Sequence, residues 1–138
     1  MDGVWKIPRP LVNRILGHAQ RCAPRESVAL LCGRPGELTE WHPLPNISGR
    51  EDRYLADPQA QIALMRQFRQ EGKQVVAICH SHPNSPAEPS PTDLTEDNHP
   101  GLLHLICSLN TQGCLDLRGF LYQDGTFHAQ ELVLHDET

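Results

Sequence analysis

Two short, uninterrupted apolar runs constrain this chain most. Residues 27–32 read SVALLC and residues 74–79 read QVVAIC. A strand with one wet face alternates apolar and polar residues, whereas a strand-length run that is apolar nearly throughout is buried on both faces. A sheet built on such strands needs cover on each side, and the segments preceding them can supply it. Pro10 suits a first helical turn, and Leu11, Val12, Ile15, Leu16 and Ala19 recur at helical spacing as far as about Cys22. Asp57 and Pro58 offer an N-cap and a first-turn proline. Ala60, Leu64, Met65 and Phe68 then form a second apolar stripe, closed by Gly72.

Shorter strands are expected at 5–7, 38–44, 102–109, 115–123 and 126–134, with Pro43 and Pro45 marking 38–44 as an edge. Asp124 and Gly125 turn the last two into a hairpin. Residues 46–54 are polar and read as an exposed loop, and 90–98 as a short helix capped by Ser90 with Pro91 in its first turn. Helices and strands interleave first and antiparallel strands finish the chain. That order predicts an α/β fold, a mixed β-sheet flanked by helices. With 138 residues and no repeat or linker, 1–138 is expected to be a single domain around one core.

The charge balance narrows the partners. Twelve Lys and Arg face seventeen Asp and Glu with no basic stripe, so neither nucleic acid nor an anionic membrane is expected. No apolar run approaches the roughly 20 residues that span a bilayer, and the N-terminal MDGVWKIPRP lacks the apolar centre of a signal peptide. Cysteines 22, 32, 79, 107 and 114 are odd in number and show no C-x-x-C spacing, which favours reduced thiols and a cytoplasmic location.

The second apolar run leads directly into HSHPNSPAEPSPTD, residues 80–93. On an extended chain His80 and His82 project to the same side. Imidazole nitrogens suit zinc, and two histidines with an Asp93 oxygen would leave one tetrahedral position open. The prolines between His82 and Ser90 limit the entropy of holding the loop. Each half also has a plain reading: H-x-H as a solvated turn, and Ser90 with Asp93 as the S-x-x-D form of a capping box. The combination H-x-H-x7-S-x2-D is much more specific than either part. Cys79, beside His80, could be a nucleophile, but its place at the end of an apolar strand favours an inert thiol.

In every specified position this stretch resembles the signature of the JAMM (MPN+) metalloproteases. The upstream PRESVALLCG matches that family's glutamate segment and aligns Glu26 with its glutamate; spacing alone would leave Glu26 a solvated carboxylate. One departure lies beside the site: where many members have Cys-Gly, this chain has Val28 and Ala29. The resemblance covers nearly the whole chain and is strongest to the compact bacterial branch that cleaves ubiquitin-like sulfur-carrier proteins. It implies an MPN/JAB fold, a cytidine-deaminase-like three-layer α-β-α arrangement, with one zinc ion per chain.

It further implies that His80, His82 and Asp93 bind zinc with water as fourth ligand, and that zinc brings the pKa of that water to about 7. Glu26 would take the proton as general base and pass it to the leaving amine. Ser90 would donate to the oxyanion, a contact whose loss typically costs about 10²–10³ in rate. The partner implied is a sulfur carrier whose C-terminal diglycine-type tail lies extended against a strand edge. Residues 46–57 would wall that groove, with Asn46 and Tyr54 as substrate contacts. The competing readings are a deubiquitinase-like peptidase with another ubiquitin-like substrate, and a non-catalytic interaction module, whose known forms lose zinc ligands that this chain keeps. A zinc deaminase would need P-C-x-x-C, which does not occur.

Overall fold

The computed structural model describes residues 3–90, 101–110 and 116–136. Along the chain run β1 (Val4–Pro8), α1 (Arg9–Cys22), β2 (Val28–Arg34), β3 (Glu37–Leu44), α2 (Pro58–Glu71), β4 (Val75–His82), β5 (Leu103–Ser108), β6 (Asp116–Gln123) and β7 (Thr126–His135). The strands are ordered β1-β3-β2-β4-β5-β6-β7 and close on themselves through a parallel β1–β7 pairing. The sheet is mixed, as expected: β4 and β5 are parallel, while β2 pairs antiparallel with both β3 and β4.

Strand alternation sends the two apolar runs to two different cores. Ala29 and Leu31 of β2, with Ala77 and Cys79 of β4, join Leu11, Val12, Ile15 and Ala19 of α1. Side chains from all seven strands contribute to this cluster or pack against it, so the sheet curls around α1. Val28, Leu30 and Cys32 of β2, with Ile78 of β4, face the other way and meet Phe68 of α2. Helix α1 carries Pro10 in its first turn, and α2 begins and ends on the expected signals. The carboxylate of Asp57 accepts from the Gln59 amide at 3.1 Å, and Gly72 ends α2 in the left-handed region at φ +70°.

Three local expectations are adjusted. Met65, expected on the buried stripe of α2, is 41% exposed while Phe68 is 2% exposed. The sheet covers only the narrow line of Ala60, Leu64 and Phe68, spaced by four, and Met65 lies a further step around the helix. Strand β3 is bordered on both sides, although β1 meets it at the single pair Lys6–Glu37, so Pro43 interrupts no long ladder there. Finally, β4 continues past Cys79 to His82, because β5 keeps pairing with it at His80–Ile106, Ser81–Cys107 and His82–Ser108. The short helix expected at 90–98 falls, apart from Ser90, outside the described residues.

Phe68 is the main anchor of α2. Phe68→Ala is expected to lower stability by about 3–5 kcal/mol. The check is urea unfolding, which should show a lower midpoint with an unchanged slope.

Candidate active site

His80 and His82 sit at the C-terminal end of β4, 1% and 3% exposed, on the same face as Ile78. Their Nε2 atoms approach to 3.2 Å. The other nitrogen of His82, Nδ1, lies 2.8 Å from the carbonyl of Pro86. A carbonyl can only accept, so Nδ1 carries a proton, and in the neutral ring the lone pair then lies on Nε2, toward His80. Such an outer hydrogen bond commonly orients an imidazole that ligates a metal.

The loop carrying Pro86 is held in turn. Ala87 is fully buried against Ile106 and Phe120, and the Ser108 hydroxyl donates to the Ser85 carbonyl at 2.6 Å. This support was not legible in the sequence, since its decisive atom is a backbone oxygen. The ring of Tyr54 packs on His80 with centroids 4.8 Å apart and planes tilted by 30°. That places Tyr54 beside the histidine pair.

Glu26 stands two residues before β2 and is 5% exposed. Where the regular β2–β4 ladder ends, at Val28–His80, Ser81 extends it by one residue. Its hydroxyl accepts from the Ser27 amide at 2.7 Å and its own amide donates to the Ser27 carbonyl at 3.2 Å. The serine between the histidines therefore fixes the backbone next to Glu26. Asn46 acts from the other side, its Nδ2 donating to the Glu26 carbonyl at 2.8 Å.

Glu26, His82 and Ser90 line one cleft of about 430 Å³, together with Glu51, Asp52 and Asn84. A carboxylate, an imidazole and a hydroxyl thus share one open cleft bordered by the 46–57 loop. Asp93, the third expected ligand, lies outside the described residues. The two imidazoles fit a zinc ion, because one ring is held with Nε2 directed at its neighbour's Nε2.

Residues 8–118 match the family described as prokaryotic homologs of the JAB domain. The chain belongs to this family. Among curated relatives, this JAB chain is 42% identical over 94 residues to a probable TtuB-protein conjugate cleaving protease of Thermus thermophilus. That match covers 67% of this chain and 63% of the Thermus protein. A CysO-cysteine peptidase of Mycobacterium tuberculosis is 30% identical over 124 residues, covering 88% of this chain and 85% of its own. In the solution structure of protein DSY2949 from Desulfitobacterium hafniense the same fold recurs, with a TM-score of 0.87 at 27% identity, over 97% of this chain and 94% of that one. The MPN/JAB architecture implied by the motif is the one observed. No helix among the described residues is long and apolar enough to cross a membrane.

Two other groups in this JAB chain could be taken for reactive centres. Cys32, Glu40 and His42 bring their ligand atoms within 4.8 Å of one another on β2 and β3. The ammonium of Lys73, however, lies 3.1 Å from Glu40 Oε1, which also sits 2.9 Å from His42 Nε2. Burial, with the Glu40 charge, raises the Cys32 thiol to about 11 against the opposing pull of Lys73. The carboxylate thus has a resident cation and the thiol is held protonated, so the cluster is an ion-pair network.

The second group is Cys79. Burial, followed by its neighbour Cys107, pushes this thiol well above its ordinary range, which argues against a nucleophile. Cys22, Cys32, Cys79 and Cys107 are all free, and Cys22 alone of these four is not buried. In the folded protein, iodoacetamide should therefore modify Cys22 well before Cys79, as read by peptide mass mapping.

Proposed function

We propose that this JAB chain is a zinc-dependent peptidase that hydrolyses the bond following the C-terminal, diglycine-type tail of a ubiquitin-like sulfur-carrier protein. The observation that carries the reading is the convergence of two imidazole Nε2 atoms at 3.2 Å beside a cleft lined by Glu26 and Ser90. The names of the Thermus and Mycobacterium relatives support a peptidase acting on protein conjugates or on a carrier bearing cysteine. His80 and His82 would hold the ion with Asp93. When bound, zinc supplies Lewis-acid polarisation of the scissile carbonyl and acidification of water.

The remaining work falls to the protein. Glu26 accepts a proton from the attacking water and returns it to the departing amine, which needs a carboxylate within hydrogen-bond reach of both. Ser90 donates to the oxygen that gains charge as the carbonyl becomes tetrahedral. His82 stays oriented throughout because Nδ1–H remains on the Pro86 carbonyl. The loop 46–57 forms one wall of the groove, and small residues in the tail let it pass between this wall and the histidines. Domain extent 1–138 and zinc as the natural metal belong to the same proposal.

The test uses linear fusions of ubiquitin-like sulfur carriers, each with a short extension after the diglycine, incubated with zinc-loaded protein. Intact-mass analysis should show a single new terminus directly after the diglycine. Fusions that stay intact, or are cut elsewhere, would refute the proposed specificity.

A further inference from the structure

Asn46 is held at both ends of its side-chain amide. While Nδ2 donates to the Glu26 carbonyl at 2.8 Å, Oδ1 accepts from the Ser48 amide at 2.9 Å and the Leu55 amide at 3.0 Å. The loop is closed above it by an Asn46–Ala56 bridge and by hydrogen bonds from Ile47 N to the Leu55 carbonyl and from Asp57 N to the Pro45 carbonyl. A second strut runs from Arg25, the residue before Glu26, whose Nη2 donates to the Ser48 carbonyl. The same loop carries Glu51 and Asp52 into the cleft.

We infer that Asn46 is a positioning residue: its amide locks the backbone of Glu26 to the groove loop and so sets where the Glu26 carboxylate stands relative to the histidine pair. This rests on the peptidase reading above. It also changes the part expected of Asn46 from the sequence, where it was a substrate contact, since three hydrogen bonds within the protein use its amide. The requirement is chemically narrow. One planar group must donate to the Glu26 carbonyl and accept from two loop amides. Aspartate can only accept when ionised, and serine is too short to span both. A tail entering the cleft meets the loop that Asn46 joins to Glu26, so groove and base are set by one part.

Asn46→Asp separates the two functions, because it keeps the loop acceptor and removes the donor to Glu26. In the full-length, zinc-loaded protein, kcat should fall about 10- to 100-fold, the scale associated with a displaced catalytic group. KM and zinc content should stay within about twofold. The Glu26 carboxyl ¹³C resonance of the same protein should move or split. A raised KM with unchanged kcat would return Asn46 to substrate contact and overturn the inference, as would a lower melting temperature with unchanged kcat. Should zinc-loaded wild type cleave no carrier fusion, the peptidase reading fails, and the positioning claim is still decided by the ¹³C signal. An unmoved resonance in Asn46→Asp overturns it; a displaced one upholds it.

Discussion

Glu26→Gln should reduce kcat by about 10²–10⁴, the usual contribution of a positioned general base. Zinc content and melting temperature should remain close to those of wild type. Glutamine matches glutamate in shape, so the 5%-exposed position is neither emptied nor overfilled. It cannot take up a proton, and that function alone is removed. The anchors on either side, the Ser27–Ser81 pair and the Asn46 amide, act on backbone atoms and survive the change. Single-turnover kinetics with a carrier fusion, read beside elemental analysis, checks both halves. Full activity in Glu26→Gln would end the role assigned to this carboxylate.

His82→Ala should lose metal and activity together, the largest effect expected at any described residue. One Nε2 of the converging pair disappears, and with it the bond to Pro86 that orients the ring. Changes to outer partners of a ligand typically cost 10–100-fold in metal affinity or activity. Removing the ligand itself should exceed about 10² in affinity and bring cleavage to background. The Pro86 carbonyl then keeps the Glu88 amide, which donates to it at 2.8 Å, so the loss of the His82 donor costs little at that oxygen. Zinc titration by calorimetry measures the affinity, and thermal melts without added metal isolate the stability effect.

The parts of the fold that were legible in the sequence are those written locally. The runs at 27–32 and 74–79 announce strands buried on both faces, and Asp57, Pro58 and Gly72 delimit α2 within one residue. Pairing between distant segments is not local. The continuation of β4 to His82 depends on β5, and sheet closure depends on β7 lying beside β1. The site divides in the same way. His80 and His82 were visible as side-chain types at a spacing and Glu26 only through the family resemblance; the structure sets the histidines face to face and brings Glu26, His82 and Ser90 to one cleft. The Pro86 carbonyl, the Ser81 hydroxyl and the Asn46 amide were not. Pro86 acts through its own backbone oxygen, and Ser81 and Asn46 through side chains bonded to backbone atoms of distant segments, so these roles depend on pairings that local sequence does not show.

The departure from the family at Val28 and Ala29 also has a structural account. They are 0% and 2% exposed and point into the two cores on opposite sides of β2. Their difference from Cys-Gly is one of packing.

The central claim, that the histidine pair holds a zinc ion on which peptide cleavage depends, is tested most directly by titrating metal-depleted wild type with zinc. Bound metal and the rate of carrier-fusion cleavage would be followed in the same samples. The account predicts no cleavage in the depleted protein and a linear rise in rate that stops at one zinc per chain. Cleavage at full rate without bound metal, or saturation of one zinc per chain with no gain in rate, would contradict it.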